Sequence, residues 1–135
     1  MVKKIDHIGI IVKDLDASLE NYTSKLGLKV KEIEELEVEG SKDRLAFIPV
    51  GDQNIELIET SAEKGLAGDF LREHGEGIHH IAIEVEDLDK IFKELSSQGV
   101  EFLWDRIIER SPTTRIAWLK SKEFNGVHIE LVERR

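Results

Sequence analysis

Ile5-Asp6-His7-Ile8-Gly9-Ile10-Ile11-Val12-Lys13-Asp14-Leu15-Asp16, near the start of the chain, is matched in its middle by Ile78-His79-His80-Ile81-Ala82-Ile83-Glu84-Val85-Glu86-Asp87-Leu88-Asp89. Each copy closes on a second matching segment, Asn54-Ile55-Glu56-Leu57-Ile58-Glu59 and His128-Ile129-Glu130-Leu131-Val132-Glu133. A glutamate follows the histidine after 49 residues in the first half (7 to 56) and after 50 in the second (80 to 130). The unit is too long for a solenoid repeat, so two modules sharing one sheet is the architecture it favours. Two histidines and two carboxylates at matched places suggest a metal site on a pseudo-twofold axis.

Both halves read in the same order. Residues 5–12 alternate as a strand, with Ile8, Ile10 and Val12 on one face and His7, Gly9 and Ile11 on the other. Asp14 to Asp16 offers helix caps, Leu15, Leu19, Tyr22 and Leu26 recur at helical spacing, and Gly27 stands at a C-cap. Leu28–Glu39 is extended in character and ends at a Gly40–Asp43 turn. Arg44–Val50 and Gln53–Thr60 are strands around Gly51-Asp52. The second half repeats βαβββ: a strand to Val85, a helix from Asp87 to Ser97, extended residues from Val100 to Trp104, and strands over 115–119 and 127–133. The expected organisation is α+β, a single domain over 1–135, with module one at 4–60, a connector helix within 61–77 and module two at 78–133.

Alternation assigns the four polar residues to faces. Ile55 and Leu57 turn toward the helix layer, as do Ile129 and Leu131, so Glu56 and Glu130 turn the other way with His7 and His80. All four point into one trough if the modules meet edge to edge. Taken singly, each is what the open face of a half-buried strand ordinarily carries. The matched set is a different matter, because a chance reading must explain the coincidence twice. Imidazole and carboxylate suit one divalent ion among Co, Mn, Ni, Zn and Fe, and do not choose between them. His79 falls on the apolar side as a core or interface residue, and His74 on the surface. Trp104 and Trp118 read as core.

The chain has 135 residues and a formal net charge of −9. That charge argues against a nucleic-acid partner, which needs a basic face. It leaves room for a small anion beside a bound cation. With no cysteine there are no disulfides, cysteine ligands or thiol nucleophiles. No apolar run is long enough for a membrane span, and Met1-Val2-Lys3-Lys4 leads into a strand-like segment instead of an apolar leader. A cytoplasmic protein without membrane partners is expected.

Ile5-Asp6-His7-Ile8-Gly9-Ile10, the run from Phe70 to Ala82 and Gly126-Val127-His128-Ile129-Glu130-Leu131 together resemble the vicinal-oxygen-chelate superfamily, and within it most closely the methylmalonyl-CoA epimerases. The resemblance spans essentially the whole chain. It implies paired βαβββ modules forming a U-shaped mixed sheet around a metal cleft, a homodimer, and His7, Glu56, His80 and Glu130 as ligands. The implied reaction is epimerisation of methylmalonyl-CoA or a similar 2-carboxyacyl-CoA by abstraction of the α-proton, the ion holding the enolate. Glu130 would be ligand and base on one face; on the other, Glu39 is first choice and Glu37 second. Glyoxalase I-type lactoylglutathione lyases share this ligand pattern and give an alternative, and a non-catalytic small-molecule-binding member gives another. Two loops depart from the epimerase pattern. Glu37–Asp43 lacks the usual Glu-Gln-Gly, and Ser111-Pro112-Thr113-Thr114 replaces a Gly-Ala-His-Gly-like loop. His128 stands on the face of Glu130, where an apolar residue is expected, either as a contact of the site or as an ordinary strand position.

Overall fold

A computed structural model describes residues 1–38 and 41–135. Its elements are β1 (Val2–Ile11), α1 (Leu15–Glu20), β2 (Glu32–Val38), β3 (Ser41–Val50), β4 (Gln53–Thr60), α2 (Gly65–His74), β5 (Gly77–Val85), α3 (Leu88–Ser97), β6 (Ile108–Ser111), β7 (Thr114–Leu119) and β8 (His128–Arg134). The class is α+β, and each half runs βαβββ as the repeat predicts. Among the described residues no helix is long and apolar enough to cross a membrane. The chain forms two compact units, His7–His79 and Met1–Asp6 with His80–Arg135.

In the first unit the strand order is β2-β3-β4-β1, antiparallel except where β4 lies parallel to β1. Ile10 of β1 and Val12 just beyond its end pack with Ala46, Ile48, Ile55 and Leu57 beneath Leu15, Leu19 and Tyr22. Alternation predicts Ile10, Val12, Ile55 and Leu57 on this side, while Ile8, expected with them, lies outside this cluster. The opposite face places Ile11, Leu45 and Ile58 under Ala67, Phe70 and Leu71 of α2. The connector helix is therefore also a cover for one end of that face.

Two local expectations change here. After Glu20 the helix widens into a π turn over Asn21–Lys25. A π turn bonds i to i+5, so it rotates later residues off the original stripe. Leu26 ends 65% exposed, and Leu28 and Val30 enter the core in its place. Further on, Lys42 and Asp43 belong to β3 instead of a turn, because pairing with β2 begins at Val38 and Ser41.

The second unit follows the same plan in the order β5-β8-β7-β6, with β5 parallel to β8. Val85, Ala117, Leu119, Ile129 and Leu131 pack with Leu88 and Ile91 of α3. Residues 100–104 do not form a strand: Phe102 makes one bridge to Leu119 and stacks on Phe92 at 4.2 Å, while the pairing with β7 falls on β6. Residues 1–6 belong here. The carbonyl of Met1 accepts from Glu86 N at 2.9 Å, and Arg134 grips both oxygens of Asp6 at 2.9 and 2.8 Å.

Much of the repeated sequence outside the histidines fastens helix to sheet. Asp14 Oδ1 accepts from Ala17 N at 3.1 Å, and Asp87 Oδ1 from Lys90 N at 3.1 Å, each an N-cap. Glu59 accepts from Leu15 N at 2.8 Å and Glu133 from Leu88 N at 2.9 Å, placing a carboxylate at the positive end of each helix. An arginine spans each clamp: Arg44 contacts Asp16 and Glu59, and Arg115 contacts Asp89 and Glu133. Hydrogen bonding to Asp16 raises the pKa of Arg44, and hydrogen bonding to Asp89 and Glu133 raises that of Arg115.

Candidate functional site

In the first unit the parallel register sets Asn54 opposite His7 and Glu56 opposite Gly9. Glu56 is thus offset by two residues from His7 on the same face. His7 Nε2 lies 3.0 Å from Glu56 Oε2, and both residues are 7% exposed. On its other side Glu56 pairs with Phe47 of β3. Position 9, opposite Glu56, is a glycine and itself brings no side chain there.

The second unit rebuilds this from different strands. His128 is opposite His80, and Glu130 is opposite Ala82. His80 Nε2 lies 3.8 Å from Glu130 Oε1, with both side chains buried. Trp118 pairs with Glu130 across β7 and β8 and meets the His80 ring edge to face at 4.8 Å. Each glutamate therefore stands between a small residue and an aromatic one. The aromatics close the motif Arg-x-Ala-Phe/Trp, and their repetition in both halves was the available pointer to them.

Two buried imidazole–carboxylate pairs are costly arrangements unless each carboxylate meets positive charge. The donor set suits a divalent cation of the borderline class. The spacing suits it too, since donors about 2.1 Å from one ion and cis to each other stand about 3 Å apart. That is the separation of His7 and Glu56, and the wider His80–Glu130 gap lies within the range such donors span.

The other sequence candidates separate clearly. Glu39 lies outside the described residues. Glu37 is exposed and pairs with Lys42, on the α1 side of the sheet and away from Glu56. Asp43 does share the face of Glu56, accepting from Thr60 Oγ1 at 2.5 Å. It pairs with Thr60, four residues from Glu56, which is about 13 Å along a strand. Ser111 to Thr114 forms the tight β6–β7 hairpin, where Ser111 Oγ accepts from Thr113 N at 3.2 Å. His79 is buried edge-on against Phe70 at 5.1 Å, while His74 is exposed. Trp104 departs from the expected core position: it is 41% exposed, because residues 103–106 form bends instead of a strand.

Residues 4–130 match the Glyoxalase/Bleomycin resistance protein/Dioxygenase superfamily, and the chain belongs to it. It is 33% identical to the uncharacterized protein YqjC of Bacillus subtilis, over 98% of this chain and 93% of that one. It is 32% identical to a probable lactoylglutathione lyase of Vibrio cholerae, over 98% and 91% of the two chains. A variant of Streptomyces coelicolor methylmalonyl-CoA epimerase in complex with 2-nitronate-propionyl-CoA has a similar structure. Its TM-score is 0.88 at 35% identity, covering 99% of this chain and 96% of the other.

Proposed function

We propose that the protein is a metal-dependent epimerase, an isomerase that interconverts the stereoisomers of methylmalonyl-CoA or a similar 2-carboxyacyl-CoA. The observation that carries this reading is the pair of buried His–Glu couples, 3.0 and 3.8 Å apart, in a chain similar over nearly its whole length to an epimerase. His7, Glu56, His80 and Glu130 would together hold one divalent ion. Bound there, such an ion supplies Lewis acidity that makes a proton α to a carbonyl easier to remove.

The remaining work falls to the chain. Glu130 accepts the α-proton on one face of the substrate, and a second group returns a proton to the opposite face, which inverts the centre. The second group comes from the 37–43 segment, with Glu39 as the assignment. Phe47 and Trp118 flank the glutamates and keep water from the carboxylates. The same reading takes the chain as a single domain acting as a cytoplasmic homodimer on a small thioester.

The test is deuterium incorporation. Metal-loaded protein incubated with methylmalonyl-CoA in D2O should introduce one deuterium at the α-carbon, detected by mass spectrometry, and no exchange sinks the reading. The likeness to a probable lactoylglutathione lyase favours a second reading, isomerisation of a hemithioacetal. Turnover of methylglyoxal with glutathione, without exchange into methylmalonyl-CoA, would establish it instead.

A further inference from the structure

The two site faces match residue for residue near the ligands. His7 corresponds to His80, Glu56 to Glu130, Gly9 to Ala82 and Phe47 to Trp118, each pair alike in chemistry. The match breaks beside each histidine and, two residues beyond Gly9 and Ala82, at Ile11 and the buried Glu84. Asn54 lies opposite His7, and His128 lies opposite His80. Alternation along β8 places His128 on the face of Glu130 and Val132, since Ile129 and Leu131 pack into the α3 core and Val132 packs with Ala82 on the other side. His128 is partly exposed where Glu130 is buried, and it is the first residue of β8.

A substrate with a thioester at one end and a carboxylate at the other has no twofold symmetry. Ligands that are equivalent in both halves cannot decide which end goes where. Residues that differ must do so, and His128 is the ligand-adjacent position where the second half carries an imidazole and the first an amide.

We propose that His128 is the residue that orients the substrate, its ring N–H donating a hydrogen bond to the anionic oxygen of a 2-carboxyacyl group held beside His80 and Glu130. This rests on the epimerase reading for the identity of the thioester, but the recognised chemistry is a carboxylate next to a chelating oxygen. A donor to a charged acceptor is worth enough that its loss should weaken binding roughly tenfold or more.

The experiment compares wild type, His128→Leu and His128→Gln, each loaded with Co(II) and with metal content measured. Malonate, a chelating dicarboxylate, is titrated calorimetrically, and KM and kcat for methylmalonyl-CoA are recorded. The expected result is unchanged metal content, malonate affinity and KM weakened on the order of tenfold in H128L, a smaller change in kcat, and partial recovery in H128Q. Equal malonate affinity in wild type and H128L overturns the proposal, as does loss of cobalt from H128L. If wild type shows no exchange yet malonate binding still falls in H128L, the epimerase reading fails and the role of His128 stands.

Discussion

The two halves carry the same His–Glu pair and the same arginine clamp at different tightness. In the first, His7 and Glu56 are 3.0 Å apart, while Arg44 holds Asp16 at 3.2 Å and Glu59 only at 3.9 Å. In the second, His80 and Glu130 stand 3.8 Å apart, while Arg115 holds Asp89 at 2.5 Å and Glu133 at 2.8 Å. The closer imidazole–carboxylate pair sits in the half with the looser clamp. Clamp and site lie on opposite faces of the same strands, because adjacent side chains alternate. Each can therefore tighten without dragging the other, and two matched glutamates need not do the same job. In the proposed reading Glu56 only holds an ion, whereas Glu130 also takes the proton.

The largest expected effect follows from that division. Glu130→Gln keeps an oxygen donor but cannot accept the proton, and should lower the rate of α-proton exchange by about a thousandfold or more. Glu56→Gln also keeps an oxygen donor, so its loss should be confined to metal affinity and be restored largely by added metal. Steady-state exchange rates at saturating Co(II) measure both. Equal, unrescued losses would remove the distinction between the glutamates. In the same assay Glu39→Gln should lower exchange by about a hundredfold or more as the opposite-face acid, and Glu37→Gln should leave it nearly unchanged.

Next in size is the clamp. The Arg115 side chain is 12% exposed between two carboxylates, whereas that of Arg44 is 29% exposed. Removing a largely buried arginine leaves Glu133 to face Leu88 N without its counter-charge, so Arg115→Ala should cost about 2–3 kcal/mol. Arg44→Ala should cost about 1 kcal/mol, nearer the value of an exposed pair. Urea unfolding of the two variants gives the comparison directly, and equal costs would mean that the tighter geometry contributes nothing.

How much of this was legible in the sequence depends on the kind of signal. Period-two alternation placed Ile10, Val12, Ile55 and Leu57 on one face and His7 and Glu56 on the other, because burial on one side of a strand leaves a pattern that no other element produces. Leu26 misled, since helical spacing assumes a constant 3.6 residues per turn and nothing in Asn21–Lys25 announces a π turn. Trp104 misled as well, because hydrophobicity alone does not show whether a strand continues far enough to bury it. The repeated Arg44 and Arg115 were visible as a motif, yet their partners Asp16 and Asp89 come from the helices. Only tertiary contact connects them. The facing of residues 37–43 is of the same kind, since strand register and not composition decides that Glu37 faces α1 while Asp43 faces the site side.

The smallest effect separates the clamps by pH. The hydrogen bond from Arg115 lowers the pKa of Asp89 below the ordinary aspartate range. A carboxylate depressed in the folded state contributes stability that is complete above its unfolded pKa, near pH 4, and lost as pH falls through the folded value. Asp89 is exposed, so water screens the contribution and it should be small. Wild type should then exceed Asp89→Asn in urea midpoint at pH 6, with the gap closing progressively below about pH 4. A gap that persists undiminished at pH 3 would show that the ionised side chain is not its source. In that case the 2.5 Å contact with Arg115 would act through packing of the arginine stem instead of charge.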